Sequence, residues 1–164
     1  MKLRKTLDPQ AVTAVIDTRE QLPLDLSPLR VVTKSLKTGD YSVDGLEHIV
    51  AVERKSLQDL IMCVGRERER FEAEVKRLMA YDVHVLMIEG SWASIEAKQY
   101  RGDVHPNAVI GSICGWIASG LTVVFAGDRA RAGLLTAKIL YTTARRRWNE
   151  AQPFIAAHLE NVAS

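Results

Sequence analysis

The chain has 164 residues, of which 47% are hydrophobic and 26% are charged, and its formal net charge at pH 7 is +2. This composition is typical of one globular domain over 1–164, with a core over about 14–150 between a short basic N-terminal arm and a C-terminal tail. No apolar run reaches the roughly 18 residues of a membrane span and no secretion signal opens the chain, so we exclude a membrane protein and expect a cytoplasmic one.

The first third of the chain predicts strands joined by loops. An apolar run ends at Asp17, and a loop broken by prolines separates it from a second run. Asp44-Gly45 is typical of a hairpin turn, so the segments on either side predict an antiparallel ribbon. The predicted strands are 14–17, 30–36, 41–43 and 48–55.

From Ser56 onward the pattern favours helices that alternate with strands. Ser56 followed by Asp59 is typical of a helix N-terminus, and Phe71, Val75 and Leu78 recur at the spacing of one helix face. The predicted helices follow Ser56 and cover 66–80, 107–119 and a last stretch from Asp128 past Trp148, and the predicted strands are 83–88 and 121–126. Residues 90–104 are unassigned. Such an order predicts an α/β or α+β sheet with helices on its faces.

Three charged residues stand at the end of the second ribbon strand: Glu53, Arg54 and Lys55. Because side chains alternate along a strand, Glu53 and Lys55 share one face. A carboxylate beside an ammonium at the rim of a sheet suits a metal-dependent phosphodiesterase, in which the carboxylate binds a hard divalent cation such as Mg²⁺ and the lysine acts on water or phosphate. Asp40, which the ribbon folds toward Glu53, is the second carboxylate, and Asp17 is a candidate third.

This spacing has an ordinary alternative. An Asp followed by Glu-x-Lys is the signature of restriction-endonuclease-like nucleases, but it also arises by chance. In the alternative interpretation Glu53, Arg54 and Lys55 form a solvated strand end, and Asp59 only caps the next helix.

Basic residues are clustered although the net charge is small. Clusters lie at the N-terminus (Lys2, Arg4, Lys5), after the candidate site (Arg66, Arg68, Arg70) and in the last helix (Arg145, Arg146, Arg147). Arg66 and Arg70 lie one helical turn apart and are candidates for binding DNA phosphates. The neighbouring glutamates leave a lattice of surface ion pairs as an equal alternative.

Three short motifs occur in order along the chain: IDTRE at 16–20, TGDY at 38–41 and VERKSLQDL at 52–60. Together they resemble the nuclease domain of the XPF (xeroderma pigmentosum group F) family, whose marks are D-x-R-E, G-D-Y and E-R-K-x-x-x-D. The resemblance extends over about 15–148, nearly the whole chain.

The resemblance implies a restriction-endonuclease-like core, with a mixed central β-sheet, an antiparallel ribbon and helices on both faces. It implies structure-specific cutting of branched or partly single-stranded DNA, such as flaps, forks and junctions in repair, recombination or replication, with Mg²⁺ or Mn²⁺. The catalytic residues implied are Asp17, Arg19, Glu20, Asp40, Glu53, Arg54, Lys55 and Asp59. The metal ligands implied are Asp17, Asp40, Glu53 and the carbonyl of Arg54.

The chain departs from the family in one respect. XPF-type nucleases often carry a helix-hairpin-helix module that holds duplex DNA, and we expect none in these 164 residues. A homodimer, a partner protein or the arginines of the last helix would then hold the DNA, as would suit a compact prokaryotic or phage-like protein. The alternatives are a catalytically inactive docking module and, less favoured, a sequence-specific restriction enzyme. Every charged motif position is filled, which favours the enzyme.

Overall fold

The computed structural model of the protein describes residues 6–162 and is built around a six-stranded sheet. The predicted N-terminal basic arm lies outside the described residues. The strands are β1 (Thr13–Asp17), β2 (Arg30–Lys34), β3 (Tyr41–Val43), β4 (Val50–Ser56), β5 (Val83–Glu89) and β6 (Thr122–Phe125). The helices are α1 (Leu57–Val64), α2 (Arg68–Leu78), α3 (Trp92–Glu96), α4 (Pro106–Ala118) and α5 (Arg129–Val162), and a 3₁₀ turn covers Pro9–Ala11.

The sheet is mixed, with the order β2-β1-β3-β4-β5-β6. β1 and β2 are parallel, β4, β5 and β6 are parallel, and β3 is antiparallel to both of its neighbours. Five strands therefore end where β3 begins, and we call this the carboxyl end of the sheet. Because Asp17, Asp40 and the charged residues of β4 all lie there, the topology gathers the three sequence motifs at one end of the sheet.

Helices cover both faces of the sheet, as predicted. α5 packs on one face, over Val50 and Val52 of β4, while α1, α2 and α4 pack on the other, where Ala51 lies. The alternation of side chains in β4 thus supplies apolar residues to both layers of the core. None of the helices in the described part of the chain is both long and apolar enough to cross a membrane.

The ribbon connection is longer than the predicted two-residue hairpin. β3 ends at Val43 and β4 begins at Val50, and the residues between them form consecutive turns in which Leu46 accepts from the amides of Ile49 and Val50. The Ser42 hydroxyl donates a hydrogen bond to the Val50 carbonyl at 2.6 Å. This bond gives the buried carbonyl a partner at the end of the short β3–β4 ladder.

Two further differences concern helices. Residues 92–96 form the short helix α3, capped by Ser91, in a segment that the sequence left unassigned. α5 continues through Pro153 to Val162, whereas the sequence predicted a tail from the proline onward. A proline removes one hydrogen bond of a helix, and the turns on either side of Pro153 keep theirs.

Candidate active site

Asp40 is held against β4 by its own backbone and side chain. Its amide donates to the Val52 carbonyl at 2.8 Å, and its carboxylate accepts from the Arg54 amide at 2.8 Å. The preceding Gly39 has φ +78°, and a Cβ there would lie 3.0 Å from the Val52 carbonyl oxygen. Only glycine fits this close turn without strain, which explains the Gly-Asp pair in the motif.

Glu53 and Lys55 are paired on the face of β4 that α1 and α2 cover. The Lys55 ammonium donates to the Glu53 carboxylate at 2.5 Å, and the two side chains are 15% and 6% exposed. Helix α2 adds two contacts, since the Lys55 Nζ lies 5.4 Å from the centre of the Phe71 ring and 4.0 Å from the Glu74 carboxylate. The lysine is therefore held by three side chains before any ligand arrives.

The site concentrates negative charge in a buried place. Burial raises the pKa of Asp40 to about 6, with help from the charges of Glu20 and Glu74, and burial and the charge of Asp40 raise the pKa of Glu53 to about 7. Burial by itself would lower the pKa of Lys55, but the charge of Glu53 and its hydrogen bond outweigh this effect and raise the pKa above its usual value. Lys55 is therefore protonated at neutral pH, and the two acids lose their protons more readily when a cation is near.

Arg54 points to the opposite face and binds two other carboxylates. Its guanidinium lies 2.5 Å from Glu89, at the end of β5, and 3.3 Å from Glu20. The Tyr41 hydroxyl donates to Glu20 at 3.0 Å and accepts from the Leu24 amide at 2.9 Å. This network joins β3, β4, β5 and the loop after β1 beneath the site.

Asp17 and Arg19 form a separate unit at the end of β1. One oxygen of the buried Asp17 carboxylate accepts from the amide and Nε of Arg19 at 2.9 and 2.6 Å, and the other accepts from the Leu36 amide at 2.6 Å. Burial opposes ionisation, but these bonds outweigh it and lower the pKa of Asp17. Both oxygens of Asp17 are therefore engaged with the protein, and the carboxylate holds Arg19 in place near Asp40 and Glu53.

The oxygen ligands available at the site suit a small hard cation. No group of three or more acidic, histidine or cysteine side chains converges to hold a metal within residues 6–162. Two carboxylates remain, Asp40 and Glu53, together with a backbone carbonyl. Because the N–H of Arg54 points to Asp40, its C=O points to the same side of the strand. One or two carboxylates, with water and substrate oxygens, are the usual set for Mg²⁺, so this arrangement fits Mg²⁺ or Mn²⁺.

The other predicted residues have different surroundings. Asp59 is exposed and bonds with Ser56, which caps α1, and not with Lys55. Arg66 makes a long contact with the sulfur of Met62 at 3.8 Å, and Arg70 pairs with Glu67 at 3.3 Å. Part of the alternative lattice of ion pairs is thus present on α2.

The last arginine cluster lies away from the site. Arg147 binds Asp82 at 2.6 Å, and Asp82 immediately precedes β5, whereas Glu89 ends β5 at the site. Arg145, Arg146 and Arg147 therefore lie toward the opposite end of the sheet.

Sequence reasoning missed three side chains around the site, of which Glu74 and Glu89 contact motif residues and Arg129 contacts Glu89. Glu74 comes from α2, Glu89 from β5, and Arg129 begins α5, where it lies 3.7 Å from Glu89 and donates to the carbonyls of Leu22 and Pro23 at 2.7 Å each. A signal existed for Glu89, which is a charged residue at the end of an apolar strand, as Asp17 is.

Comparisons with known proteins agree with this geometry. The ERCC4 domain family matches residues 16–139. XPF from Aeropyrum pernix has a TM-score of 0.66 and 21% identity, over 81% of this chain and 62% of that one. A second structure, XPF from Aeropyrum pernix in complex with DNA, has a TM-score of 0.66 and 20% identity, over 82% of this chain and 66% of that one. The chain thus spans less than two thirds of the length of each.

The comparison with curated protein sequences gave no match. The structural likeness establishes the fold and confirms the predicted restriction-endonuclease-like core. The family match over residues 16–139 confirms the predicted XPF-type nuclease domain.

Proposed function

Because the chain belongs to the ERCC4 domain family, a family of structure-specific DNA endonucleases, we propose that it hydrolyses phosphodiester bonds in branched or partly single-stranded DNA. One observation carries this proposal. Asp40, Glu53 and Lys55, which are distributed over two motifs, lie close enough at the carboxyl end of the sheet for their charges to interact, with Glu53 buried and the other two half-buried. The match to XPF from Aeropyrum pernix in complex with DNA supports DNA as the partner.

We propose Mg²⁺ or Mn²⁺ as the cofactor, with Asp40, Glu53 and the Arg54 carbonyl as ligands. When bound, the cation supplies positive charge that stabilises the developing charge on the phosphate and orders water and substrate. In this proposal Asp17 is not a ligand, because its oxygens accept from Arg19 and Leu36; it positions Arg19 beside the ligands.

Lys55 is the group that acts on the phosphate or the attacking water. Its raised pKa keeps it protonated, so it donates hydrogen bonds and does not remove a proton. Its ammonium lies 2.5 Å from the Glu53 carboxylate, so it would stabilise the charge that a phosphate oxygen gains during hydrolysis beside the bound cation. The ion pairs of Arg54 with Glu20 and Glu89 stabilise β4 from the face opposite to Glu53 and Lys55. Asp59 stabilises the first turn of α1 through its hydrogen bonds with Ser56.

Further contacts with DNA and partners belong to the same proposal. Arg66 and Arg70 would bind phosphates near the cut, and Arg145, Arg146 and Arg147 would bind a more distant part of the substrate. A homodimer or a partner protein would add further hold on the DNA. Exposed apolar side chains that suit such an interface include Ile117 and Leu134, at 48% and 53% exposed.

Cleavage of labelled DNA tests the proposal. We expect flap, fork or junction DNA to be cut with Mg²⁺ or Mn²⁺ and not with EDTA, and plain duplex to be cut less. Lys55→Ala and Asp40→Asn should abolish cutting but retain binding. The control is Arg77→Ala, which removes an exposed arginine from the far end of α2. DNA binding by the wild type without cutting, under every metal tried, would instead identify an inactive docking module. Unchanged cutting by both site variants contradicts the proposal outright.

A further inference from the structure

The segment 97–104, between α3 and α4, is an exposed loop that is fastened to α1. The Gln58 side chain donates to the Arg101 carbonyl at 3.1 Å and accepts from the Arg101 amide at 3.0 Å. At the end of the loop, the Tyr100 hydroxyl donates to the Val104 carbonyl at 2.9 Å. Val104 packs so closely on the turn after α1 that a Cβ at Gly65 would lie 3.2 Å from it. We call residues 97–104 the tethered loop.

The attachment point lies beside the candidate active site. Gln58 is in the first turn of α1, three residues after Lys55, and this helix begins directly at the end of β4. A side-chain amide that pairs with both backbone groups of one residue fixes the position of that residue. The Arg101 backbone is therefore fixed against the first turn of α1, the helix that directly follows the strand carrying Glu53 and Lys55.

The tethered loop presents cations that have no ion-pair partner. Lys98 and Arg101 are exposed, and neither makes a salt bridge with any residue in the described part of the chain. Lys98 has φ +52°, so the chain turns sharply there, between α3 and Arg101. The acids close by are Asp103, which is also exposed, and Glu96, which accepts from the Trp92 indole at 3.2 Å.

This situation differs from that of two of the other arginines considered as DNA contacts. Arg70 and Arg147 each bind a carboxylate of the protein itself. An arginine that must first leave a carboxylate contributes less to phosphate binding than one that is free.

We propose that the tethered loop binds the DNA backbone beside the cut, with Arg101 as the main phosphate contact, Lys98 as a secondary one, and Gln58 as the positioning residue. The inference rests on the proposed function and adds the element that holds the substrate strand at the site. Because the tethered loop would bind phosphates, we expect its contribution to DNA binding to be independent of base sequence and sensitive to salt.

Binding of a fluorescent flap DNA, measured by anisotropy in EDTA at several salt concentrations, tests this inference without cleavage. We expect Arg101→Ala to weaken binding about 3- to 10-fold and to reduce the slope of log K against log salt by about one. Arg101→Lys should retain most of the affinity. The control Arg77→Ala removes an exposed arginine from the C-terminal end of α2. It should change neither the affinity nor the salt dependence beyond about twofold.

Gln58→Ala tests the positioning role. It should weaken binding less than Arg101→Ala, and it should have no further effect in the Arg101→Ala background, because both changes remove the same contact. In cleavage, Arg101→Ala should raise KM and leave kcat close to the wild-type value.

The outcomes separate this inference from the proposed function. If the wild type binds and cuts flap DNA but Arg101→Ala behaves like Arg77→Ala, the tethered loop is not a DNA contact while the proposed function stands. Additive losses for Gln58→Ala and Arg101→Ala overturn the positioning role. Absence of DNA binding by the wild type at low salt overturns both proposals.

Discussion

Asp40 and Glu53 are carboxylates placed where ionisation is unfavourable. Burial raises the pKa of Asp40 to about 6 and that of Glu53 to about 7, and only Glu53 bonds with Lys55. A carboxyl whose pKa is higher in the folded state favours the fold fully below its unfolded pKa, and this contribution is lost as the pH rises through the folded pKa. For Asp40 the loss falls between pH 3.8 and about 6. The metal-free protein therefore carries an electrostatic penalty at neutral and higher pH.

Asp40→Asn should relieve this penalty. The amide oxygen of asparagine can still accept from the Arg54 amide, while the charge is gone. Since one pKa unit corresponds to about 1.4 kcal/mol, we expect the free energy of unfolding in EDTA at pH 8 to rise by about 1–3 kcal/mol, with a smaller gain at pH 4. Chemical denaturation checks this, with the exposed Asp103→Asn as control. A loss of stability at pH 8 would contradict the burial argument.

The same acids predict how a metal stabilises the protein. A cation that binds the folded state raises the melting temperature by mass action, and protons compete with it for Asp40 and Glu53. We expect Mg²⁺ or Mn²⁺ to raise the melting temperature clearly at pH 8, much less at pH 6, and not at all in Asp40→Asn. Scanning calorimetry with K⁺ at matched ionic strength is the control. An equal shift at both pH values is the result that argues against these ligands.

The sequence predicted some of these contacts because they depend only on the strand. Alternation placed Glu53 beside Lys55, and their atoms meet at 2.5 Å. The sequence did not predict the partners of Asp17, because the path of the loop after β2 is what brings the Leu36 amide to the Asp17 carboxylate. Nor did it single out Glu74, which looks like the other glutamates of α2 until tertiary packing brings it toward Lys55.

The turn before β3 is the element that determines where Asp40 lies. Gly39 and Gly45 have similar positive φ angles, +78° and +83°, but a Cβ meets the Val52 carbonyl at 3.0 Å only at Gly39. We expect Gly45→Ala to cost about 1 kcal/mol, from backbone strain alone. Gly39→Ala should cost about 1–2 kcal/mol more, and it should also reduce the metal-induced rise in melting temperature because Asp40 is displaced. Equal costs for both variants, with unchanged metal response, would show that the close approach is unimportant.

The packing of α5 depends on another glycine. A Cβ at Gly133 would lie 2.5 Å from the Asp25 carbonyl oxygen, in the loop between β1 and β2, whereas one at Gly111 of α4 has nothing within 4 Å. Gly133→Ala should therefore destabilise the protein by about 2 kcal/mol or more, while Gly111→Ala should stabilise it by up to about 1 kcal/mol through helix propensity. Urea denaturation of both variants provides the comparison. Stabilisation by both would mean that the loop moves freely away from α5.

Strands and helices with strong patterns were predictable, and elements set by tertiary contacts were not. β3, β5 and α4 follow from apolar runs and their caps, and their bounds agree with prediction to within a residue or two. α3 is only five residues long, so it shows no helical period. α5 passes Pro153, where a local rule predicts an end, because one lost hydrogen bond does not outweigh the turns around it.

Charge is distributed over two ends of the molecule. Lys55, Arg19 and Arg129 lie at the carboxyl end of the sheet, while Arg147 binds Asp82 at the start of β5. β5 has seven residues, so the two ends are separated by about 20–25 Å at the usual rise of a strand. The arginines of the last helix are therefore too far from Lys55 to act on the same phosphate.

This separation gives a length requirement for the substrate. DNA rises about 3.4 Å per base pair, so an arm that starts at the cut must extend about six or seven base pairs to reach Arg145 and Arg146. The Arg145→Ala/Arg146→Ala variant should bind a flap with a duplex arm of about 20 base pairs several-fold more weakly than the wild type does. Its binding of a flap with a duplex arm of about four base pairs should be unchanged. Arg66→Ala/Arg70→Ala should weaken both, because Arg70 adjoins Phe71 at the site. Anisotropy titrations at constant salt distinguish these cases. An equal loss on both substrates would mean that the DNA reaches the last helix by another path, since a short arm cannot span the length of the sheet.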